Sequence, residues 1–133
     1  MENVDHTKTH IRCTDAIAVR LTDYVRDHDH VTFAQLADDF PEFRDGEFNI
    51  VHEGPKHGNI VLWTGMTEAA TEAYAMAVRS GRVTAGPTSP MTYLLDGRAL
   101  RLPIAKAARH YKALRWLPVI LRPGPNAGKE MTN

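Results

Sequence analysis

Cationic side chains crowd one stretch of this chain. Arg79, Arg82, Arg98, Arg101, Lys106, Arg109, Lys112 and Arg115 follow one another with Tyr93, His110, Tyr111 and Trp116 interleaved or adjacent. Lys and Arg gain affinity for a phosphate backbone by releasing its condensed counterions, so such a set suits a polyanion. On a polyanion-binding reading the run from Lys106 to Arg115 could track a backbone, and Arg98 could reach a phosphate or a minor groove. The plainer alternative is a solvated edge that balances acidic residues elsewhere.

The other residue types capable of chemistry form no recognisable set. His28-Asp29-His30 and the pair His52 and His57 could ligate a metal, but zinc sites draw on closer, regularly spaced sets, and Cys13 has no CxxC partner. These histidines read as surface or capping residues. Ser80, Ser89 and Cys13 lack the flanks of a nucleophile elbow or of a papain-type cysteine. Asp38, Asp39 and Glu42 read as solvated carboxylates, since neighbours along a helix point to different sides. Gly54-Pro55-Lys56-His57-Gly58 is not a phosphate-binding GxxxxGK[ST] loop. The expectation is a protein with no catalytic residues, no metal and no cofactor.

With 133 residues, 43% of them hydrophobic and 24% charged, the chain has the composition of one ordinary globular domain. The expected division is a mobile N-terminus over 1–10, a domain over 11–122 and a flexible tail over 123–133. No apolar run is long enough to cross a bilayer, the opening MENVDHTKTHIR lacks the apolar stretch of a secretory signal, and a lone cysteine excludes an internal disulfide. These features favour the cytoplasm. The formal net charge of zero hides a split. Up to Ala77 there are 6 Lys/Arg against 14 Asp/Glu, a balance of −8, and from Val78 onward 10 against 2, a balance of +8. A split of this kind marks either a nucleic-acid face or two halves that attract each other within the fold.

The elements that must position these residues can be read from periodicity. Ile17, Leu21, Tyr24, Val25 and His28 make one stripe of a helix over Thr14–His28, with Thr14 as cap. Thr32 and Gln35 have capping-box spacing ahead of a short helix with Phe33, Leu36, Ala37 and Phe40 on its apolar face, halted by Pro41. Phe48–Val51 and Asn59–Trp63 read as strands around a turn at Glu53–Gly58. Thr67–Ser80 reads as a helix capped by Thr67, burying Ala70, Ala73, Tyr74, Ala77 and Val78 and ended by Gly81. Arg82–Ala85 reads as a strand and Gly86–Pro90 as a loop. Met91–Leu95 then reads as a strand turning at Asp96-Gly97 onto Leu100–Ile104. Trp116–Leu121, interrupted by Pro118, reads as an edge strand, and Trp63, Tyr74, Tyr93 and Trp116 read as core or interface aromatics, with a dimer strand from Trp116 to Leu121 as the alternative.

The order helix, short helix, strand, helix, strand, strand resembles the winged helix-turn-helix architecture. Thr14–His28, the capped segment Val31–Ala37 and Thr67–Gly97 carry the resemblance. The helix running through Ser80-Gly81-Arg82-Val83 into a hairpin looks like a recognition helix running into a wing. One departure is a β insertion, Pro41–Met66, where the usual motif has a turn of three or four residues. The resemblance implies a small α+β domain of three helices plus β-hairpins that binds double-stranded DNA, as a transcriptional or replicon regulator and as a possible homodimer. Thr67, Thr71 and Arg79 would then face the groove. Arg82, Thr88, Ser89, Arg98 and Arg101 would serve wing and backbone, with Lys106, Arg109, Lys112 and Arg115 as a phosphate-binding flank. The alternative is a protein-interaction or assembly module without DNA binding.

Overall fold

A computed structural model describes residues 6–51, 58–106 and 111–128, with side chains from Cys13 onward. The elements run α1 (His6–His28), α2 (Phe33–Asp39), a 3-10 turn (Pro41–Phe43), β1 (Phe48–Val51), β2 (Ile60–Met66), α3 (Glu68–Arg79), β3 (Val83–Pro87), α4 (Pro90–Leu95), β4 (Arg115–Trp116) and β5 (Val119–Pro123). The domain is α+β, as expected from the sequence.

Local signals set most element ends. Thr32 Oγ1 accepts from Gln35 N–H at 3.0 Å and opens α2, and Phe40 N–H closes it on Leu36 O before Pro41. Thr67 Oγ1 accepts from Ala70 N–H at 3.2 Å and opens α3. Each such cap replaces a hydrogen bond that the first helical turn cannot make internally, worth about 1 kcal/mol. α3 ends at Gly81, whose φ of 75° is a left-handed conformation that glycine adopts without cost. The chain then returns to this corner. Gly124 N–H donates to Arg82 O, Asn126 N–H to Gly81 O, and Asn126 Nδ2 to Ser80 O. Gly124–Asn126 therefore has a defined seat where a flexible tail was expected, and residues 129–133 of that tail lie outside the described residues.

β1 and β2 form the expected antiparallel hairpin, with register irregularities on both sides of Ile50. The turn residues Glu53–His57 lie outside the described residues. β4 joins β2 in parallel, giving the order β1-β2-β4, and β3 pairs antiparallel with β5. Leu117 N–H donates to Val61 O at 3.0 Å, whereas Pro118 O accepts from Thr88 N–H at 2.9 Å. Backbone groups of successive residues in an extended chain face opposite flanks. The stretch 115–123 therefore has β2 on one flank and β3 on the other, and stitches the two small sheets into one layer. Val31 continues the β2 flank by exchanging both backbone hydrogen bonds with Leu121, at 2.8 and 2.7 Å.

The core centres on aromatic rings. Trp63, Tyr93 and Trp116 lie with ring centroids 5.0 to 6.3 Å apart, and Phe33 stacks on Trp63. Two of these rings have hydrogen-bonded polar groups. Tyr93 Oη donates to Val119 O at 2.6 Å and accepts from Phe33 N–H at 3.1 Å, and Trp116 Nε1–H donates to Leu62 O at 3.2 Å.

Four expectations need correction. First, α1 starts at His6. Thr14 is no cap but a buried residue whose Oγ1 donates to Glu72 Oε2 of α3 at 3.4 Å, where the two helices pack. Second, Met91–Leu95 is helix. Ser89 Oγ accepts from Met91 N–H and Pro90 supplies a preset φ in the first turn, a helix-start signal that outweighs the alternation of Met91, Tyr93 and Leu95. Only Tyr93 of the three turns inward. Third, the expected hairpin, and with it the wing, does not form, because β3 takes β5 as its partner and Leu100–Ile104 contributes a single bridge, Ile104 to Trp116. Fourth, the stretch from Trp116 to Leu121 is not an edge strand, since β2 lies on one flank of it and β3 on the other.

Candidate docking groove

A groove of about 640 Å³ opens along the layer. Its floor is Leu62 of β2 with Leu117 and Val119 of the stitching segment, all buried. β2 turns Leu62 towards this groove and the next residue, Trp63, into the aromatic cluster, as the alternation of a strand requires. α3 contributes Thr71, Tyr74, Ala75 and Val78, β1 contributes Asn49, Ile50 and Val51, and β3 contributes Ala85 and Pro87. Two large apolar side chains in this lining stay open to solvent, Val51 at 54% and Val78 at 37% exposure. Val78 is the one member of the expected buried face of α3 that the core does not cover. Burial at the groove wall pushes the Tyr74 hydroxyl up to about 12 from its usual value near 10, so it stays protonated at neutral pH.

The charged residues of the lining both come from α3. Glu72 and Arg79, on the outer side of α3, line this groove and also a second hollow of about 560 Å³ that includes Thr14 and Asp15 of α1, Met76 and Ser80. Neither Glu72 nor Arg79 is without a partner. Thr14 Oγ1 holds one of the Glu72 carboxylate oxygens, which fixes it on the wall shared by the two hollows.

Four of the eight cations anticipated as a phosphate-binding set, Arg79, Arg82, Arg98 and Arg115, have partners within the fold, as does Arg122, which was not among them. Arg98 Nε pairs with Asp38 Oδ1 at 2.9 Å, and Arg122 lies 3.7 Å from Asp29 Oδ1, both carboxylates from the acidic half. Arg115 donates to Ile104 O at 3.1 Å and covers the Tyr111 ring at 4.7 Å. Arg82 is half-buried beside the Gly81 corner and also has a partner. Arg101, Lys106 and Lys112 are exposed, and Arg109 lies outside the described residues. The polar candidates have local roles. Thr67 and Ser89 are caps, Thr71 Oγ1 donates to Glu68 O, and Thr88 Oγ1 lies 3.2 Å from Thr92 Oγ1. Of the expected site residues that are described, only Thr71 and Arg79 line the groove.

Sequence reasoning missed the floor and the β1 and β3 sides, because Leu62, Leu117 and Val119 look like any core residues. The available signal was the width of the α3 stripe. Ala70, Ala73, Tyr74, Ala77 and Val78, flanked by Ala75, span more of the helix than one packed neighbour can cover.

The histidines behave as expected of ordinary residues. His28 stacks on Tyr24 at 3.9 Å with its Nδ1 at 2.9 Å from Tyr24 O, and His30 lies beside Asp29. His52 and His57 lie outside the described residues. Among the described residues no group of three His, Cys, Asp or Glu side chains is arranged to hold a metal, and no helix is long and apolar enough to cross a membrane. Comparison with protein families, with characterised proteins and with solved structures finds no match to this chain.

Proposed function

We propose that this protein is an interaction module whose groove docks an apolar segment of a partner polypeptide. The observation that carries the reading is the partly covered apolar face of the layer, with Val51 and Val78 open to water beside a buried floor of Leu62, Leu117 and Val119. Open apolar surface next to polar rims is where partners dock, and a hollow of this size suits a few anchoring side chains. The duplex-DNA reading rests on the exposed Arg101, Lys106 and Lys112. It has less in its favour, since Arg98 and Arg122 face carboxylates and the exposed side of α3 carries Glu68 and Glu72.

The test is a selection of random displayed dodecapeptides on the protein, with the recovered peptides remade and titrated against the wild type and Val78→Asp. The docking reading expects apolar peptides whose affinity falls at least about tenfold in Val78→Asp, a loss of about 1.4 kcal/mol. A labelled random duplex is titrated in parallel at low and moderate salt. Duplex binding that weakens steeply with salt and is blunted by Arg101→Ala with Lys106→Ala, together with no peptide sensitive to Val78, overturns the docking reading in favour of DNA.

A further inference from the structure

We infer that the docked segment is an extended strand of the partner, added to the open edge of β3 with every second side chain in the groove. The inference rests on the docking reading and adds the partner's conformation to it. Among the described residues the layer is bounded by β1 on one side and β3 on the other. β1 is irregular, with register shifts on both sides of Ile50, and such bulges blunt an edge against further pairing. β3 keeps one register with β5 along its whole length, and Val83-Thr84-Ala85-Gly86-Pro87 contains no charged side chain. Two bonds at its ends fix which way its backbone points. Gly124 N–H donates to Arg82 O, and Thr88 N–H donates to Pro118 O. The even-numbered residues from Arg82 to Thr88 therefore turn their backbone groups towards β5, and Val83, Ala85 and Pro87 turn theirs outward. Ala85 is exposed, and among the described residues nothing hydrogen-bonds its outward N–H or C=O. An unpaired donor and acceptor on a regular edge are a template for one more strand, whose backbone satisfies both at once.

The edge and the groove belong together. Val83, Ala85 and Pro87 place their side chains on one face of β3, and Ala85 and Pro87 line the groove. A partner residue paired opposite Ala85 projects its side chain on that same face, and so do the residues two positions away on either side. The intervening side chains point to the other face, where Thr84 is exposed. The partner is thus read by backbone hydrogen bonds at Ala85 and by apolar side chains at alternate positions in the groove. Pro87 has no N–H to offer, so the added ladder is centred on Ala85 and weakens towards Pro87. A helical partner would instead present its anchors three or four positions apart.

The experiment starts from the dodecapeptides recovered in the selection. Each is remade with a methyl group on one backbone nitrogen at a time and titrated against the wild type, Val78→Asp and Ala85→Pro. Ala85→Pro removes an outward N–H and leaves the bonds of β3 to β5 in place, and urea denaturation checks that the variant folds. The expected peptides carry apolar anchors two positions apart. Methylation should weaken their binding at least about tenfold at alternate nitrogens and little at the nitrogens between, and Ala85→Pro should weaken all of them. Hydrogen exchange of the Ala85 amide in the wild type should slow when peptide binds, a readout that needs no variant. Val78-dependent peptides with anchors three or four positions apart, or insensitive to methylation at every nitrogen, overturn strand addition and leave the docking reading standing. Self-association of the protein that Ala85→Pro abolishes gives the edge to a second copy of this chain and also overturns the inference. Absence of any Val78-dependent peptide removes both readings.

Discussion

The two sides of β2 meet very different surroundings. Trp63 enters a sealed cluster with Tyr93 and Trp116, and the polar groups of those two rings are hydrogen-bonded. Leu62, the next residue, looks onto a groove that α3 leaves open, with Val51 and Val78 wet beside it. Both sides are apolar, so the hydrophobic effect favours covering both. The difference is in the covering elements. The sealed side is closed by α4, whose single inward residue is a large tyrosine anchored to two backbone groups. The groove side is met by a helix whose facing residues include Thr71 and Ala75, too small to fill the space. A large anchored ring closes a face, and a row of small residues keeps one available.

The contrast is broken most severely on the sealed side. Trp116→Ala removes an indole at 1% exposure and leaves Leu62 O without its donor. A loss of about 3 to 5 kcal/mol is expected, and urea denaturation should show it as a large fall in midpoint or as failure to fold. A loss below about 1 kcal/mol would mean that the ring is not packed as described.

A second test uses pH and bears on the wall between the two regions. Tyr74 titrates near 12 in the folded protein because it is buried, against about 10 when unfolded. The proton is held more tightly in the folded state, so this contribution is complete below pH 10 and is lost as pH rises from 10 towards 12. The rise from about 10 to about 12 corresponds to about 3 kcal/mol across that window. Tyr93 is raised in the same direction, again chiefly by burial, and adds to the slope. Tyr74→Phe should flatten the alkaline fall in stability by a measurable part of this amount, and an unchanged slope would contradict burial at the groove wall.

Tyr93→Phe is a smaller and cleaner perturbation. The ring stays, and Val119 O and Phe33 N–H both lose their hydroxyl partner inside the core. Stranded buried groups of this kind cost about 1 to 3 kcal/mol. The cost should appear in thermal melting with little change in circular dichroism. The same hydroxyl ties α4 to both the stitching segment and the start of α2, so amide exchange should quicken in α4 before it does in α3.

How much of this was legible in the sequence follows from how local each signal is. Thr32 with Gln35, Thr67 ahead of its alanine-rich run, Pro41 and Gly81 each act on their own neighbours, and the elements they bound appear as expected. Ser89-Pro90 was equally local but competed with the alternation of Met91, Tyr93 and Leu95, which has no meaning once only Tyr93 is buried. The pairing of β3 with β5 joins residues more than thirty positions apart along the chain, and nothing near Val83 announces it. The groove was illegible for the same reason, since its floor and sides come from β1, β2, α3, β3 and the stitching segment. Charge pairing is also long-range, and composition left open whether the two halves attract each other. Arg98 with Asp38 and Arg122 with Asp29 join the basic and acidic halves.

The smallest expected effect on stability sharpens the comparison most. Val78→Ser changes a side chain at 37% exposure on the groove side, and should alter stability by no more than about 1 kcal/mol, because more than a third of it is already in water. An apolar residue retained at a wet position of a helix contributes little to folding, so its worth must be measured in binding. Urea denaturation and peptide titration on the same protein separate the two. Near-wild-type stability with weakened peptide binding fits a face kept open for a partner. A loss of stability above about 1.5 kcal/mol with binding intact would instead make Val78 part of the core and the groove narrower than described.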